Sequence, residues 1–414
     1  MSHPSKADFF LEPSIHFLNH GSFGACPRPV FETYQRWQAE LERQPVEFLG
    51  RRANELLAES RAALAAYLGA AADDVVYFPN PTTAINMVAR NVARLARTKE
   101  GAAIAKHSAP EAAKSPLRLR PGDEILTTDH EYGAMDQTWR YICDQIGARY
   151  VQRPILLPVT THADFVEHFW AGVTERTRII FISHITSPTA LTFPVAEICR
   201  RARAAGILTI VDGAHAPGQL LLNLAELGAD IYTGACHKWL CAPKGAAFLY
   251  ARPEMQPWLE PLVVSWGWEA EKPGPSRFVD WHEWQGTRDL AAYLTVPAAI
   301  RFQAEHDWDD VRRRCHALVT ETRRRIDVLT GLPPICPDGP DTWFAQLIAA
   351  RLPECDLDAL KARLYNEHRI EAPLIRWNGQ AFIRVSFQAY NDEDDADALV
   401  LALARLLPAV ASDA

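Results

Sequence analysis

From Leu56 onward the chain alternates stretches of helical periodicity with short β-branched runs, and no other feature constrains the fold as much. Parallel strands need a crossover connection, and an intervening helix supplies it. Strands are expected at Asp74 to Phe78, Asp123 to Thr128, Thr177 to Ser183, Ile207 to Asp212, Asp230 to Gly234 and Ala246 to Tyr250, each leading into a loop or helix start. The pattern predicts an α/β fold, a mostly parallel sheet covered by helices. After Leu294 it changes to a long helix, Val296 to Leu329, the stretch Phe344 to Leu352, a helix from Asp356 to Glu367, a strand Phe382 to Phe387 and a closing helix Asp392 to Leu407. That second pattern predicts a separate, smaller α+β domain.

With 48% hydrophobic and 23% charged residues in 414, the chain can bury a large core and is not a disordered one. Lys and Arg number 43 against 51 Asp and Glu, a net charge of -8 with no basic cluster, so nucleic acid is not an expected partner. Charges fall within the first eight residues, and the late apolar run Ala398 to Ala404 is cut by Arg405. The expectation is therefore no signal segment, no spanning helix, no membrane association and a cytoplasmic location. The eight cysteines form no CxxC pair and no metal-ligand spacing, which predicts reduced, mostly buried thiols and no metal site. Thr98 to Pro116, rich in Ala, Lys and Pro without a sustained period, reads as an exposed insertion.

Chemistry concentrates where Asp230-Ile-Tyr-Thr-Gly-Ala-Cys-His237-Lys238-Trp239 runs from a strand into a loop. Upstream, the apolar run Leu208-Thr-Ile-Val-Asp212 ends in a carboxylate at the strand tip, where α/β sheets place ligands. A buried carboxylate needs a cationic partner. Asp212 and Lys238 together match what pyridoxal phosphate chemistry demands. A lysine amine forms the Schiff base, and a carboxylate keeps the pyridine nitrogen protonated so that the ring is an electron sink. Singly, a capping Asp and a surface Lys would explain each residue; placement at two successive strand ends argues against that.

The sequence resembles the class V aminotransferases of fold type I, and within them the isopenicillin N epimerase-like branch. The resemblance runs through Phe17-Leu-Asn-His-Gly-Ser-Phe-Gly24, Asn80-Pro-Thr-Thr-Ala-Ile-Asn86, Asp129-His-Glu-Tyr-Gly-Ala134, Ser183-His-Ile-Thr-Ser-Pro-Thr-Ala190, Val211-Asp-Gly-Ala-His215, Cys236-His-Lys-Trp239, Trp284-Gln-Gly-Thr-Arg-Asp289 and Arg384-Val-Ser-Phe-Gln-Ala-Tyr-Asn391. It implies a large cofactor-binding domain over 31–294 with a seven-stranded sheet, a small C-terminal domain over 295–414, and an N-terminal segment 1–30 packing near the active site. It makes Lys238 the Schiff-base lysine, Asp212 the pyridinium partner, and His215 and Ser187 neighbours of the ring hydroxyl. Thr82 and Thr83 open a helix after a strand, so their hydroxyls and amides would meet a phosphate at a positive helix end, although simple N-capping explains them too.

By the same resemblance His237 is a further phosphate contact, and Gly286 and Thr287 reach the phosphate from a neighbouring subunit, which implies a homodimer. Tyr132 takes the place of the aromatic that stacks on the ring, and Arg384 that of the clamp on the substrate α-carboxylate. Asn19 and His20 resemble the segment lining the substrate site; a structural turn is the alternative reading of both. Ala235 lacks the polar side chain that relatives offer near the phosphate. Asn366 to Ile383 lacks the loop cysteine of cysteine desulfurases, and Cys355 lies at an expected helix start. The implied activity is an epimerase-like reaction at Cα of an amino acid, with C–S lyase, aminotransferase and a silent cofactor-binding module as alternatives. Epimerisation needs an acid on the face opposite Lys238, for which His20 and the Tyr132 hydroxyl are the available donors; elimination and transamination do not.

Overall fold

The computed structural model describes residues 4–98, 114–338 and 342–410. Twelve strands are found among them: β1 His16–Phe17, β2 Val75–Phe78, β3 Glu124–Thr128, β4 Arg149–Arg153, β5 Thr177–Ser183, β6 Leu208–Asp212, β7 Ile231–Ala235, β8 Ala247–Ala251, β9 Leu347–Leu352, β10 Ile370–Glu371, β11 Leu374–Trp377 and β12 Gln380–Ser386. Seven of them form one sheet in the order β2-β8-β7-β6-β5-β3-β4, with β8 antiparallel to both neighbours and the remaining pairs parallel. Side chains alternate between two apolar layers, as the pleat requires. Val75, Tyr77, Ile180 and Ile182 join one core, and Val76, Phe78, Ile179 and Phe181 the other.

Register positions the site. Ser183 at the end of β5 pairs with Asp212 at the end of β6, and Asp212 pairs with Thr233 on β7, so three strand ends converge where an α/β sheet binds ligands. The N-terminal segment crosses to the C-terminal part of the chain: β1 pairs in parallel with β10, and Ser386 N–H donates to the Leu18 carbonyl at 3.0 Å. Beyond it, Gly24 has φ +72, and a Cβ there would lie 2.2 Å from the His237 carbonyl oxygen, so only glycine lets this segment approach the Lys238 loop.

Several expectations change in detail. The long helix over Val296 to Leu329 is two helices, Val296–Glu305 and Trp308–Thr330. Asp307, at φ 46, breaks the run and caps the second by accepting from Asp310 N–H. The stretch Phe344 to Leu352 contributes β9, which begins at Leu347, and the closing helix spans Glu393–Val410. Strand β4, Arg-Tyr-Val-Gln-Arg, was not expected because it is a partly exposed edge strand flanked by charges and pairs only with β3. β9, β11 and β12 form an antiparallel three-stranded sheet. Of the expected insertion over 98–116, residues 99–113 lie outside the described ones. All eight cysteines are free and seven are buried. Among the described residues no helix is long and apolar enough to cross a membrane.

Candidate active site

A cavity of about 220 Å³ opens at the converging strand ends, lined by Asp212 and Ser183 from the sheet and by His237 and Lys238 from the loop after β7. Thr82, Tyr132, Ser187 and His215, proposed from the sequence, line it too. So do Ser22, Phe23 and Asn80, which sequence reasoning did not single out although all three fall inside the quoted blocks.

Asp212 Oδ1 accepts the Ala214 N–H at 2.9 Å, and burial pushes its carboxyl up, against the lowering effect of that bond and of Lys238. The Lys238 amine is pushed down to about 8, first by burial and then by the Arg384 charge, with Asp212 opposing. Its Nζ lies 3.1 Å from Nε2 of His215. His215 is buried and held well below the ordinary histidine range by burial and by the Lys238 charge, so its ring is neutral. His237 is lowered to about 4, mainly by burial, and its Nδ1 bonds the Ala246 carbonyl at 2.9 Å.

The two threonines differ. Thr83 is engaged in its own helix cap, its N–H and hydroxyl donating to Asn80 Oδ1 at 2.8 and 3.0 Å, whereas Thr82 lines the cavity. Arg384, on β12, is not itself a lining residue but is bonded to two of them, donating to the Ser187 carbonyl at 2.6 Å and to Ser22 Oγ at 3.2 Å, while its Nε is buried without a hydrogen-bond partner. Burial lowers its guanidinium to about 10.

Besides Thr83 and Arg384, three further groups of expected site residues stand apart from the cavity lining. Asn19 donates to Glu371 Oε1 and accepts from Ser22 Oγ, so it orients a lining residue. His20 is wholly buried behind the lysine, with Nδ1 2.9 Å from the Tyr390 hydroxyl and Nε2 3.1 Å from the Lys238 carbonyl, and burial drives it down to about 3. Gly286 and Thr287 lie outside the lining; Gly286 has φ +109 with open space at its Cβ position, and Thr287 is exposed.

Behind the lining sits a carboxyl that sequence reasoning passed over. Glu131, next to Tyr132, is buried and accepts from Ser183 Oγ at 2.5 Å and Thr128 Oγ1 at 2.7 Å. Burial pushes it up to about 8, with Asp212 adding to the rise. Its signal was its place inside the Asp129 to Ala134 block. Among the described residues no cluster of His, Cys, Asp and Glu is placed to hold a metal ion.

The residues present suit a phosphorylated pyridine aldehyde. Asp212 is a buried carboxyl in the cavity lining, Lys238 is an amine whose pKa burial lowers to about 8, so that a larger share of it is unprotonated near neutral pH than for an ordinary lysine, and Thr82 opens the helix Pro81–Arg97 at its positive end.

Comparison with known proteins agrees with this chemistry. The family model described as aminotransferase class-V matches residues 100–399. An isopenicillin N epimerase of Amycolatopsis lactamdurans is 36% identical over 408 residues, covering 96% of each chain. A probable chloroplastic L-cysteine desulfhydrase of Arabidopsis thaliana is 29% identical, over 93% of this chain and 81% of its own. The apo structure of a cysteine desulfurase from Thermococcus onnurineus NA1 superposes with a TM-score of 0.80 at 20% identity, over 99% of each chain, and shows the shared fold.

Proposed function

Because the chain belongs to the class-V aminotransferase family, we propose that it is a pyridoxal 5'-phosphate-dependent enzyme, isopenicillin N epimerase-like, acting at Cα of an amino acid. The observation that carries this reading is the pairing of a lysine amine lowered to about 8 with the buried Asp212 carboxyl in one cavity. When bound, the cofactor supplies an electron-withdrawing ring that takes up the electron pair left at Cα. Asp212 would hold the positive charge of the ring nitrogen, and Thr82 and His237 would hold the phosphate. Thr83 would act there through the helix cap it builds, His215 and Ser187 would serve the ring hydroxyl, and Tyr132 would stack on the ring. Arg384, with an unpartnered Nε and two anchored terminal nitrogens, holds the substrate α-carboxylate. Lys238 links the cofactor and moves the Cα proton. Asn19 and His20 support this wall from behind, through Ser22 and through the Lys238 carbonyl.

The boundaries of the reading are a segment 1–30, a large domain 31–294 and a small domain 295–414. A homodimer is part of it. Phe23 is 72% and Trp266 85% exposed, and the surface position of Gly286 and Thr287 suits a loop that serves a second copy's phosphate. Free, buried thiols suit a reducing, cytoplasmic location.

One observation favours a second reading, elimination as in a C–S lyase. Of the two acids available for inversion, His20 is buried and deprotonated, with both ring nitrogens engaged, which leaves the Tyr132 hydroxyl. Purified protein, screened with D- and L-amino acids and cysteine conjugates for Cα deuterium exchange, keto acid and released thiol, separates the two. Absence of a Schiff-base absorption band in the wild type, or survival of that band together with turnover in Lys238→Ala, overturns both.

A further inference from the structure

Trp239 follows the reactive lysine in the chain, is fully buried, and donates its indole Nε1–H to Nδ1 of His215 at 3.2 Å. An indole nitrogen is a donor only, so Nδ1 is the accepting nitrogen of the imidazole. In a neutral ring the proton then sits on Nε2, and Nε2 faces Lys238 Nζ at 3.1 Å. A free amine has a lone pair to accept that Nε2–H. An ammonium has none, so donor would face donor. The alternative tautomer, with Nε2 accepting from an ammonium, carries its proton on Nδ1, directly against the indole N–H.

We propose that Trp239 is a positioning residue: its indole N–H fixes His215 in the Nε2–H tautomer and so favours the free-amine form of Lys238, the form that attacks a carbonyl. The role assigned to the lysine rests on the cofactor reading above; the tautomer does not. The indole is itself held, since Gln303 Nε2 donates to the Trp239 carbonyl at 2.9 Å and the ring packs on His20 with centroids 4.8 Å apart. The charged groups facing the amine are Arg384, which disfavours the ammonium, and Asp212, which favours it. Around His215 stand Lys238, Arg384, His20 and His237, and their charges only weaken ring protonation. Among the described residues, Trp239 and Lys238 are the hydrogen-bond partners of the imidazole, so the indole alone selects the tautomer.

The test uses the full chain stripped of cofactor. In nitrogen-15 spectra of labelled histidine, His215 is expected neutral at pH 9, above the midpoint of the lysine, with its proton on Nε2. A proton on Nδ1, or an imidazolium, overturns the proposal without any variant. The second arm follows the rate of pyridoxal phosphate uptake from pH 6 to 10 in the wild type and Trp239→Phe. Loss of the indole donor frees Nε2 to accept from the ammonium, so the midpoint is expected to rise by about one pH unit, roughly tenfold slower uptake below it. An unmoved midpoint with a lowered melting temperature marks a packing role only and overturns the proposal. If the wild type takes up no pyridoxal phosphate, the cofactor reading fails and the spectra alone decide the tautomer.

Discussion

Arg384 donates from one terminal nitrogen to the backbone carbonyl of Ser187 at 2.6 Å, tying β12 to the loop after β5 at the cavity. With the other terminal nitrogen on Ser22 Oγ and Nε unpartnered, the guanidinium is oriented before any substrate arrives. Arg384→Lys keeps the charge but loses the planar fork and both anchors. The expected loss is about 1.5–3 kcal/mol, tenfold or more in kcat/KM, carried mainly by KM. Steady-state kinetics on any accepted amino acid check this; an unchanged KM would remove Arg384 from carboxylate binding.

Asp212→Asn tests the carboxyl in the cavity lining. The amide can still accept the Ala214 N–H but lacks the charge that keeps a pyridine nitrogen protonated. Turnover is expected to fall by about 1.5–3 kcal/mol or more in activation free energy, with cofactor binding retained. Rapid-mixing kinetics on the loaded variant measure it, and a wild-type rate would sink the assignment.

Glu131 gives a pH signature of stability. Its folded-state pKa is pushed up to about 8 by burial, from the ordinary glutamate value of 4.5. The stability from its protonated form is therefore fully present below pH 4.5 and is lost as pH rises toward 8, on the order of 1.4 kcal/mol per unit within that window. Glu131→Gln removes the titration, so the variant is expected to lose less stability than the wild type between about pH 5 and 8. Urea unfolding of the cofactor-free protein at several pH values decides it, and parallel curves for the two proteins would place a carboxylate, not a carboxylic acid, at this site.

How much was legible follows from which physical signals are local. The strands β5, β6 and β7 announce themselves because burial on both faces leaves uninterrupted apolar runs, and the tip of β6 shows Asp212 as an anomaly in such a run. β4 does not, since an edge strand tolerates arginines at both ends, the first of them exposed. The break at Asp307 is hidden because an αL residue inside a helical period leaves no gap in the apolar pattern. Within the site, Lys238 was legible from its motif. His20 resisted because only tertiary packing shows it bonded to the Lys238 carbonyl instead of facing substrate. Glu131 and Trp239 were hidden for the same reason, since their hydrogen bonds to Ser183 and His215 are set by the fold and not by sequence spacing alone.

A buried ion pair outside the site supplies a stability prediction. Arg61 NH1 lies 2.5 Å from Glu283 Oε2, and both side chains are 8% exposed. Burial raises the Glu283 carboxyl while Arg61, and to a smaller extent Arg288, lowers it, so Arg61 is the main group that makes the charged form tolerable. Arg61→Ala leaves that carboxyl buried beside Asp280 and is expected to cost about 3–5 kcal/mol. Replacing both partners together, Arg61→Met with Glu283→Leu, is expected to cost less than the single change. Denaturant titration of the three proteins checks the order, and a double variant no more stable than the single one would show that the pair does more than compensate charge.

The stereochemical outcome turns on Tyr132. Lys238 can add or remove the Cα proton from one face only, and inversion requires an acid on the other. His20 is deprotonated down to about pH 3 and bonded to the lysine's own carbonyl, so it cannot be that acid, whereas Tyr132 lines the cavity with 47% of its surface exposed. Tyr132→Phe keeps the ring and removes the hydroxyl. If the enzyme epimerises, the variant is expected to retain deuterium wash-in on the Lys238 face within about threefold and to lose inversion by roughly a hundredfold, the usual worth of a general acid. If it eliminates, product formation is expected to change by less than about threefold, because the departing group leaves from Cβ. Each accepted L-substrate, incubated in D₂O and resolved by chiral chromatography, reports wash-in, inversion and product together. D-enantiomer forming at the wild-type rate in Tyr132→Phe would mean that the second-face acid is another residue.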